Sequence, residues 1–349
     1  MEAPEVLLAL VGLGGWPVIA TLGAAARRFG QALEGVDWAA TSARVARLYF
    51  CGGFVGGRAL SSVEVFDPTA GSWRPARALA TRRGAAAAAV LQGRLYVCGG
   101  RWERRRPDIV VLRSVERFDP AAGAWEAMPC MAQERSAAAA AATGGRLYIC
   151  GGYAGVPAVL SDCEAFDPAS NAWSAVPPMA MGRMGAAAGV IGHRLFVCGN
   201  MCVGLECTVE AFDIQAAAWL AMPPMLHRRC EAGATVVAGQ LYVCGGRQQD
   251  AFEDHYLSSV ERFDPAAGCW ESLAPMAQAR CMPVVCAIGG GIHVFGGRSG
   301  ECVLGSSECF DQASCTWTPG PSMITLRSQM AAAIVPSWND LCFLVRKNG

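Results

Sequence analysis

Two series of charged side chains recur at a near-constant interval along the chain. Arg83, Arg135, Arg183, Arg229, Arg280 and Arg327 each precede an alanine-rich or apolar run, and Glu64, Glu116, Glu164, Glu210, Glu261 and Glu308 each sit inside a short apolar phrase. Guanidinium groups gathered in a ring would grip carboxylates or phosphates bidentately. A glutamate inside a strand that is covered on both faces needs a partner, and an arginine is available. The glutamates therefore read as structural. Metal and nucleophile chemistry has less material. His193, His227, His255 and His293 fall at unlike places in the interval, so symmetry cannot bring them together as the ligands of a copper oxidase. No Ser-His-Asp spacing, phosphate-binding loop or C-x-x-C pair is present. The chain is expected not to be an enzyme, and to need neither a metal nor another cofactor.

The elements that must hold these residues follow from a repeat. The phrases "RLYFCGG", "RLYVCGG", "RLYICGG", "RLFVCGN", "QLYVCGG" and "IHVFGG" place their first glycine at Gly52, Gly99, Gly151, Gly199, Gly245 and Gly296. Each is followed by a phrase of the type "VERFDP" and then by a tryptophan, at Trp73, Trp125, Trp173, Trp219, Trp270 and Trp317. A period near 50 residues points to a propeller rather than a helical solenoid. "LYVC" is a short apolar strand stopped by Gly-Gly, and "FDPAAGAWE" carries the Pro and Gly of a hairpin joining a third strand to a fourth. Four strands per repeat make a blade.

The runs Ala85 to Ala89, Ala137 to Ala142 and Ala331 to Ala333 favour helix by intrinsic propensity. Each occupies the same place before "RLY", where the period leaves room only for a strand, and inner strands crowded around an axis have a packing reason to be small. The last such run, "RSQMAAAIV", follows the sixth tryptophan and has no full blade of its own. It is expected to return to the first blade and close the ring, which removes exposed strand edges. The placement of "LCFLVRKNG" stays open.

The glycine doublet, the "E-x-F-D-P" phrase and the spaced tryptophan together resemble the kelch repeat over about residues 40 to 349. The chain departs from that pattern at Asn200, in place of the second glycine, and at Phe295, in place of the cysteine. The resemblance implies an all-β fold, a six-bladed kelch β-propeller over 39–349 closed by the strand near 327–335. It also implies partner binding on one rim. The matching positions are the six arginines at the ends of the fourth-to-first strand loops, with Phe54, Arg101, Tyr153, Arg247 and Arg298 just after the doublets. The implied partner is a protein held through an acidic or phosphorylated peptide. The loops after the doublets vary most, from the long basic "RWERRRPDIVVLRS" to the short "NMCVGLECT", and variable loops on a rigid scaffold are where specificity is built.

Residues 1–38 raise a separate question. Val6 to Ala26 carries no charge, long enough for a membrane span. Gly12, Gly14, Gly15 and Pro17 interrupt it, and Glu2 and Glu5 stand where a signal peptide is basic. From Val18 onward, Ile19, Leu22, Ala26, Phe29 and Leu33 share one arc of an amphipathic helix. Two short helices flanking "GGWP", followed by Arg27, Arg28, Phe29 and Trp38, resemble an F-box, with Ala3 replacing the usual leucine before the proline. That resemblance implies a short N-terminal α-helical segment in which Val6, Leu7, Leu10 and Val11 dock onto the SCF adaptor of a cullin-RING ubiquitin ligase. The propeller would then be its substrate-recognition part. The alternative is a stand-alone kelch scaffold that binds actin or another protein.

Composition sets the bounds. Of 349 residues, 53% are apolar and 17% charged, which calls for a folded core. The 29 basic and 29 acidic residues give no net field toward nucleic acid or an anionic membrane, so neither is expected as a partner. Seventeen cysteines in a chain with ample core read as free thiols in a reducing cytosol or nucleus rather than a disulfide framework.

Overall fold

The computed structural model describes residues 46–105, 108–155, 159–202, 204–249 and 254–336. These residues form six four-stranded antiparallel sheets. The second is typical: Ala87–Leu91, Arg94–Cys98, Val115–Asp119 and Ala124–Met128 pair in chain order from the axis outward. The innermost strands of successive sheets touch one another all the way round, so the sheets are the blades of a closed propeller. No helix occurs among the described residues. The expected N-terminal helical segment, the adaptor-docking residues Val6, Leu7, Leu10 and Val11, and residues 341–349 lie outside them.

The alanine runs enter strands, as crowding at the axis requires, with Ala85 and Ala137 lying just before them. Ala87–Leu91, Ala139–Thr143 and Ala331–Pro336 are all innermost. Gly189, at an equivalent place in the fourth blade, shows how tight the fit is: a Cβ there would lie 2.5 Å from Leu241 Cδ1 of the next blade. Tertiary packing thus overrides the helix propensity of alanine.

The core is divided into six layers, each made by two neighbouring blades. Between the first and second blades, Tyr49, Cys51, Val63 and Val65 meet Leu95, Val97 and Phe118. Each "FDP" aspartate then caps the turn to the fourth strand. Asp264 Oδ1, for example, accepts the amides of Ala266 and Ala267 at 2.8 and 3.3 Å, the Asx geometry that makes this phrase a turn.

Ring closure uses both ends of the described chain. Ala331–Pro336 pairs antiparallel with Ala46–Cys51, Cys51 opposite Ala331 and Ala46 opposite Pro336. The seam between the sixth and first blades is built differently from the others. Phe295, in the cysteine position, packs against Phe50, Phe66 and Trp73 with ring centroids 5.2, 5.4 and 5.6 Å apart. At the other five seams the tryptophan indole donates to a carbonyl of the preceding blade, as Trp125 does to Arg77 O at 2.8 Å. Trp73 Nε1 is buried with no hydrogen-bond partner. An aromatic cluster replaces a hydrogen bond at the closure.

Candidate partner-binding face

The six recurrent arginines do not stand on the rim, and that expectation is corrected. Arg83, Arg135, Arg183, Arg229, Arg280 and Arg327 are among the most deeply buried side chains in the protein, each at most 1% exposed. Every one is paired with a glutamate of the blade it leads into: Arg83 with Glu116, Arg135 with Glu164, Arg183 with Glu210, Arg229 with Glu261, Arg280 with Glu308 and Arg327 with Glu64. A free guanidinium at this depth would be costly, and the carboxylate with the backbone carbonyls relieves that cost at the two terminal nitrogens. Nε is buried without a partner in all but Arg183, whose Nε donates to Glu210 Oε1 at 3.0 Å.

The geometry makes each arginine a rivet between blades. The backbone of Arg83 holds the first blade, its N–H on Leu60 O and its carbonyl accepting from Gly53 N, both at 2.9 Å. Its side chain holds the second: Nη1 donates to Gly99 O and Ser114 O at 2.8 and 3.0 Å, and Nη2 to Glu116 Oε1 at 2.7 Å. Glu116 also accepts the loop amides of Ala80 and Thr81 at 2.7 and 3.1 Å. The glycine doublet is part of this joint. Gly99 has φ +62°, and a Cβ on it would lie 2.2 Å from Arg135 O, so only glycine fits. Burial pushes the thiol beside it, Cys98, up to about 12.

What these joints present to solvent is a second ring. The residue two positions after each arginine, in order Ala85, Ala137, Gly185, Glu231, Met282 and Gln329, has φ between 51° and 65° (52, 52, 64, 55, 54 and 52°). Amide-to-carbonyl bonds of 2.6–2.9 Å run around the axis from Met282 to Glu231, Gly185, Ala137, Ala85 and Gln329. This collar frames the channel mouth. Its left-handed backbone is strained for non-glycine residues and is held by the bonds on either side.

The residues after the doublets are brought to the collar. Phe54, Arg101, Tyr153, Arg247 and Arg298 donate their amides to Ser328, Gly84, Ser136, Cys230 and Cys281 at 2.8–2.9 Å, each acceptor being the residue after a buried arginine. All five side chains are half-buried. The two loop sets singled out in the sequence are thus adjacent, but only the second set faces outward. Met201 holds the equivalent place in the fourth blade, its amide 3.1 Å from Met184 O.

Two cavities open at this face. One, about 440 Å³, is the mouth itself, with Tyr153, Met184, Met201, Glu231, Met282 and Met330 in its wall. The other, about 490 Å³, lies beside it among Phe54, Arg101, Trp102, Arg298, Glu301 and Val303. Arg101, Ile109 and Gln329 belong to both. Arg247 is already engaged, its Nε 2.7 Å from Glu231 Oε2 and its Nη1 2.5 Å from Asp254 Oδ2. Arg298 bonds Gly300 O and Glu301. Arg101 has no carboxylate partner among the described residues; it lies over the Phe54 ring at 5.7 Å, with Nη2 3.3 Å from Gln329 Oε1. Burial raises the Glu231 carboxyl above its ordinary value, and the charge of Arg247 opposes the shift.

Glu231, Met282, Gln329 and Met201 were not among the expected site residues. The signal was present, since each sits at a fixed offset from a recurring arginine or doublet, but attention to residue type alone passes over methionine and glutamine. Among the described residues no group of His, Cys, Asp and Glu is arranged to hold a metal, and no helix is long and apolar enough to cross a membrane.

Comparison with known proteins places this architecture. Residues 30–200 match the KLHDC2/KLHL20/DRC7 Kelch-repeats domain, and 228–277 and 279–324 each match the Kelch motif. Kelch repeat and BTB domain-containing protein 13 of Homo sapiens is 36% identical over 107 residues, 30% of this chain and 22% of that protein. An F-box/kelch-repeat protein of Arabidopsis thaliana is 36% identical over 84 residues, 24% of this chain and 18% of its own length. The chain thus matches about a fifth of the length of these relatives. The solved structure of YjhT superposes with a TM-score of 0.65 at 16% identity, covering 78% of this chain and 96% of the other, a likeness of fold. Six blades of one repeated design, riveted by arginine and matched by kelch models along most of their length, show that the chain belongs to the kelch-repeat family.

Proposed function

We propose that this propeller is a protein-binding module that serves as the substrate-recognition subunit of an SCF-type cullin-RING ubiquitin ligase. The observation that carries the binding reading is the collar with its two joined cavities, where half-buried Arg101 and Tyr153 stand on a rigid frame. The ligase reading draws on the resemblance of residues 1–38 to an F-box and on relatives named as F-box/kelch-repeat proteins. In this reading Val6, Leu7, Leu10 and Val11 enter the adaptor groove. The propeller catalyses nothing itself; it raises the local concentration of a target near the ubiquitin-loading machinery. An acidic or phosphorylated peptide meets Arg101 first, since the six interior guanidinium groups are committed to glutamates. The abundance of free thiols suits a reducing cytosol or nucleus.

Pull-down of purified SCF adaptor with the full chain, and with residues 1–38 deleted, tests the ligase link. Capture by the full chain alone supports it. If the full chain captures no adaptor, the ligase role fails and a stand-alone scaffold is the reading that survives.

A further inference from the structure

In each blade the strand that ends at the glycine doublet carries a residue facing the start of the third strand. Four of these pairs join a cysteine to a valine: Cys51 to Val63, Cys98 to Val115, Cys198 to Val209 and Cys244 to Val260. The sixth blade pairs Phe295 with Ser307. In the third blade alone both are cysteines, Cys150 opposite Cys163. No other described cysteine has a cysteine across a strand ladder.

The register places this pair at a position suited to a covalent bond. The next pair outward, Gly151 and Asp162, carries a ladder bond, Gly151 N to Asp162 O at 3.1 Å. Cys150 and Cys163 therefore occupy the alternate, non-hydrogen-bonded site, where Cα atoms approach to about 4.5 Å. A disulfide tolerates Cα separations of about 4.4–6.8 Å. Both residues are buried, at 2% and 1% exposure. The Cys163 thiol donates to Ser161 O at 3.7 Å, and the neighbouring Cys163 thiol, together with burial, raises the Cys150 thiol well above its ordinary value. Each sulfur thus has the other as a neighbour in a site that excludes bulk water.

We propose that Cys150 and Cys163 form an oxidative modification site that takes a hydroperoxide and becomes a cross-strand disulfide. One sulfur attacks the peroxide and becomes a sulfenic acid as the O–O bond breaks and, for hydrogen peroxide, water leaves. The second sulfur attacks that sulfenic sulfur, the S–S bond forms and a second water leaves. Two thiols are oxidised by one peroxide, which is reduced to two waters. The adjacent Cys163 thiol and burial hold Cys150 as the neutral thiol, so the first step is slow and follows local opening of the strand pair. The second step is fast because the partner is already in place.

The bond has a defined consequence for the partner-binding face. It closes the loop from Cys150 to Cys163, which carries Tyr153 on the collar. The same loop supplies Gly151 O, Asp162 O and Asp162 Oδ2 to the Arg135 side chain at 2.7, 3.2 and 2.9 Å. Oxidation stiffens this loop and the joint between the second and third blades.

Mass spectrometry of the full chain after hydrogen peroxide treatment in the native state, quenching and alkylation under denaturing conditions tests the site. Trypsin releases both cysteines in one peptide, between Arg146 and Arg183. The expected product is that peptide lighter by two hydrogens and unalkylated, becoming doubly alkylated only after reduction, with a raised thermal midpoint for the oxidised chain. Cys163→Val, which restores the residue found in four other blades, should fold, leave Cys150 without an intramolecular disulfide, and show no peroxide-dependent rise in midpoint. Two free thiols in the treated peptide, sulfinic acid at either position, or a bond from Cys150 to another cysteine would each overturn the proposal.

Discussion

Arg327 Nη2 lies 2.6 Å from Glu64 Oε1, although 263 residues of sequence separate them. This ion pair, with Arg327 Nη1 on Gly52 O at 3.1 Å, repeats at the closure the rivet found at the other five seams. It is less complete there, because Glu64 Oε2 is buried without a hydrogen-bond partner whereas Glu116, Glu164, Glu261 and Glu308 use both oxygens. Removing one member of a buried pair strands the other charge, at about 3–5 kcal/mol. Arg327→Met should therefore lower stability by that amount in urea unfolding. The double variant Arg327→Met, Glu64→Leu should recover much of the loss, since apolar replacement of both partners is often near neutral. Equal losses in the single and double variants would show that the hydrogen bonds of Arg327 to Gly52 O and to Ser62 O, at 3.1 and 3.2 Å, not the charge pair, dominate.

Two glycines with nearly the same backbone should respond differently to a methyl group. Gly99 and Gly123 have φ of +62° and +61°. A Cβ on Gly99 meets Arg135 O at 2.2 Å, while one on Gly123 meets nothing within 4 Å. Gly123→Ala should cost about 1–2 kcal/mol of left-handed strain. Gly99→Ala should cost clearly more, because the carbonyl it strikes is the one that accepts from Gly100 N. Equal midpoints for the two variants would show that φ alone explains the doublet.

The period, the turn chemistry and the alternation in "LYVC" were enough to read the fold, because each is local and repeats six times. The place of the arginines was not, and the reason is physical. An arginine at the end of a loop looks solvent-facing, and nothing local shows that two backbone carbonyls and a glutamate converge on it from the next blade. The six glutamates were the available clue: an interior carboxylate in every blade demands a cation in every blade. The post-doublet set was legible as an outward-facing series because its members differ in type, from Phe54 to Arg298, as residues freed from a repeated joint do.

Thiol chemistry should follow burial. Cys130, Cys269, Cys302 and Cys315 are exposed, and burial holds the thiols of Cys98, Cys198 and Cys244 up to about 12. Iodoacetamide on the native chain should label the first group and spare the second until the ring unfolds. The same shifts fix a pH dependence. A folded pKa raised above the ordinary 9.0 means that the folded state keeps protons the unfolded state loses, so stability is full below about 9 and declines toward 12. Cys98→Val should make the decline shallower. A slope unchanged by that variant would assign the alkaline loss to other groups.

Acid should act through the turn aspartates. The amides of Ala266 and Ala267 hold the Asp264 carboxyl below its ordinary value, and those of Ala216 and Ala169 do the same for Asp213 and Asp167. A depressed folded pKa contributes stability above the ordinary value of about 3.8 and loses it as pH falls through the depressed one. The urea midpoint should hold above about pH 5 and fall below about pH 4. Asp264→Asn keeps an acceptor for both amides and removes the titration, so its acid slope should be smaller. An identical slope would place the acid sensitivity in groups other than Asp264.

The two arginine sets should separate function from folding. Arg135 joins the second blade to half-exposed Asp162 and buried Glu164 of the third from a buried position, so Arg135→Glu sets a buried carboxylate against that of Glu164, with Asp162 beside it, and should unfold the ring or lower its midpoint steeply. Arg101 lines both cavities at the mouth, and its side chain contributes only a 3.3 Å bond to Gln329 and the Phe54 face to the fold. Arg101→Glu should leave the thermal midpoint within a few degrees of the parent and abolish binding of a protein partner. If Arg101→Glu binds that partner as the parent does while remaining folded, the mouth of the channel is not where the propeller makes its contact.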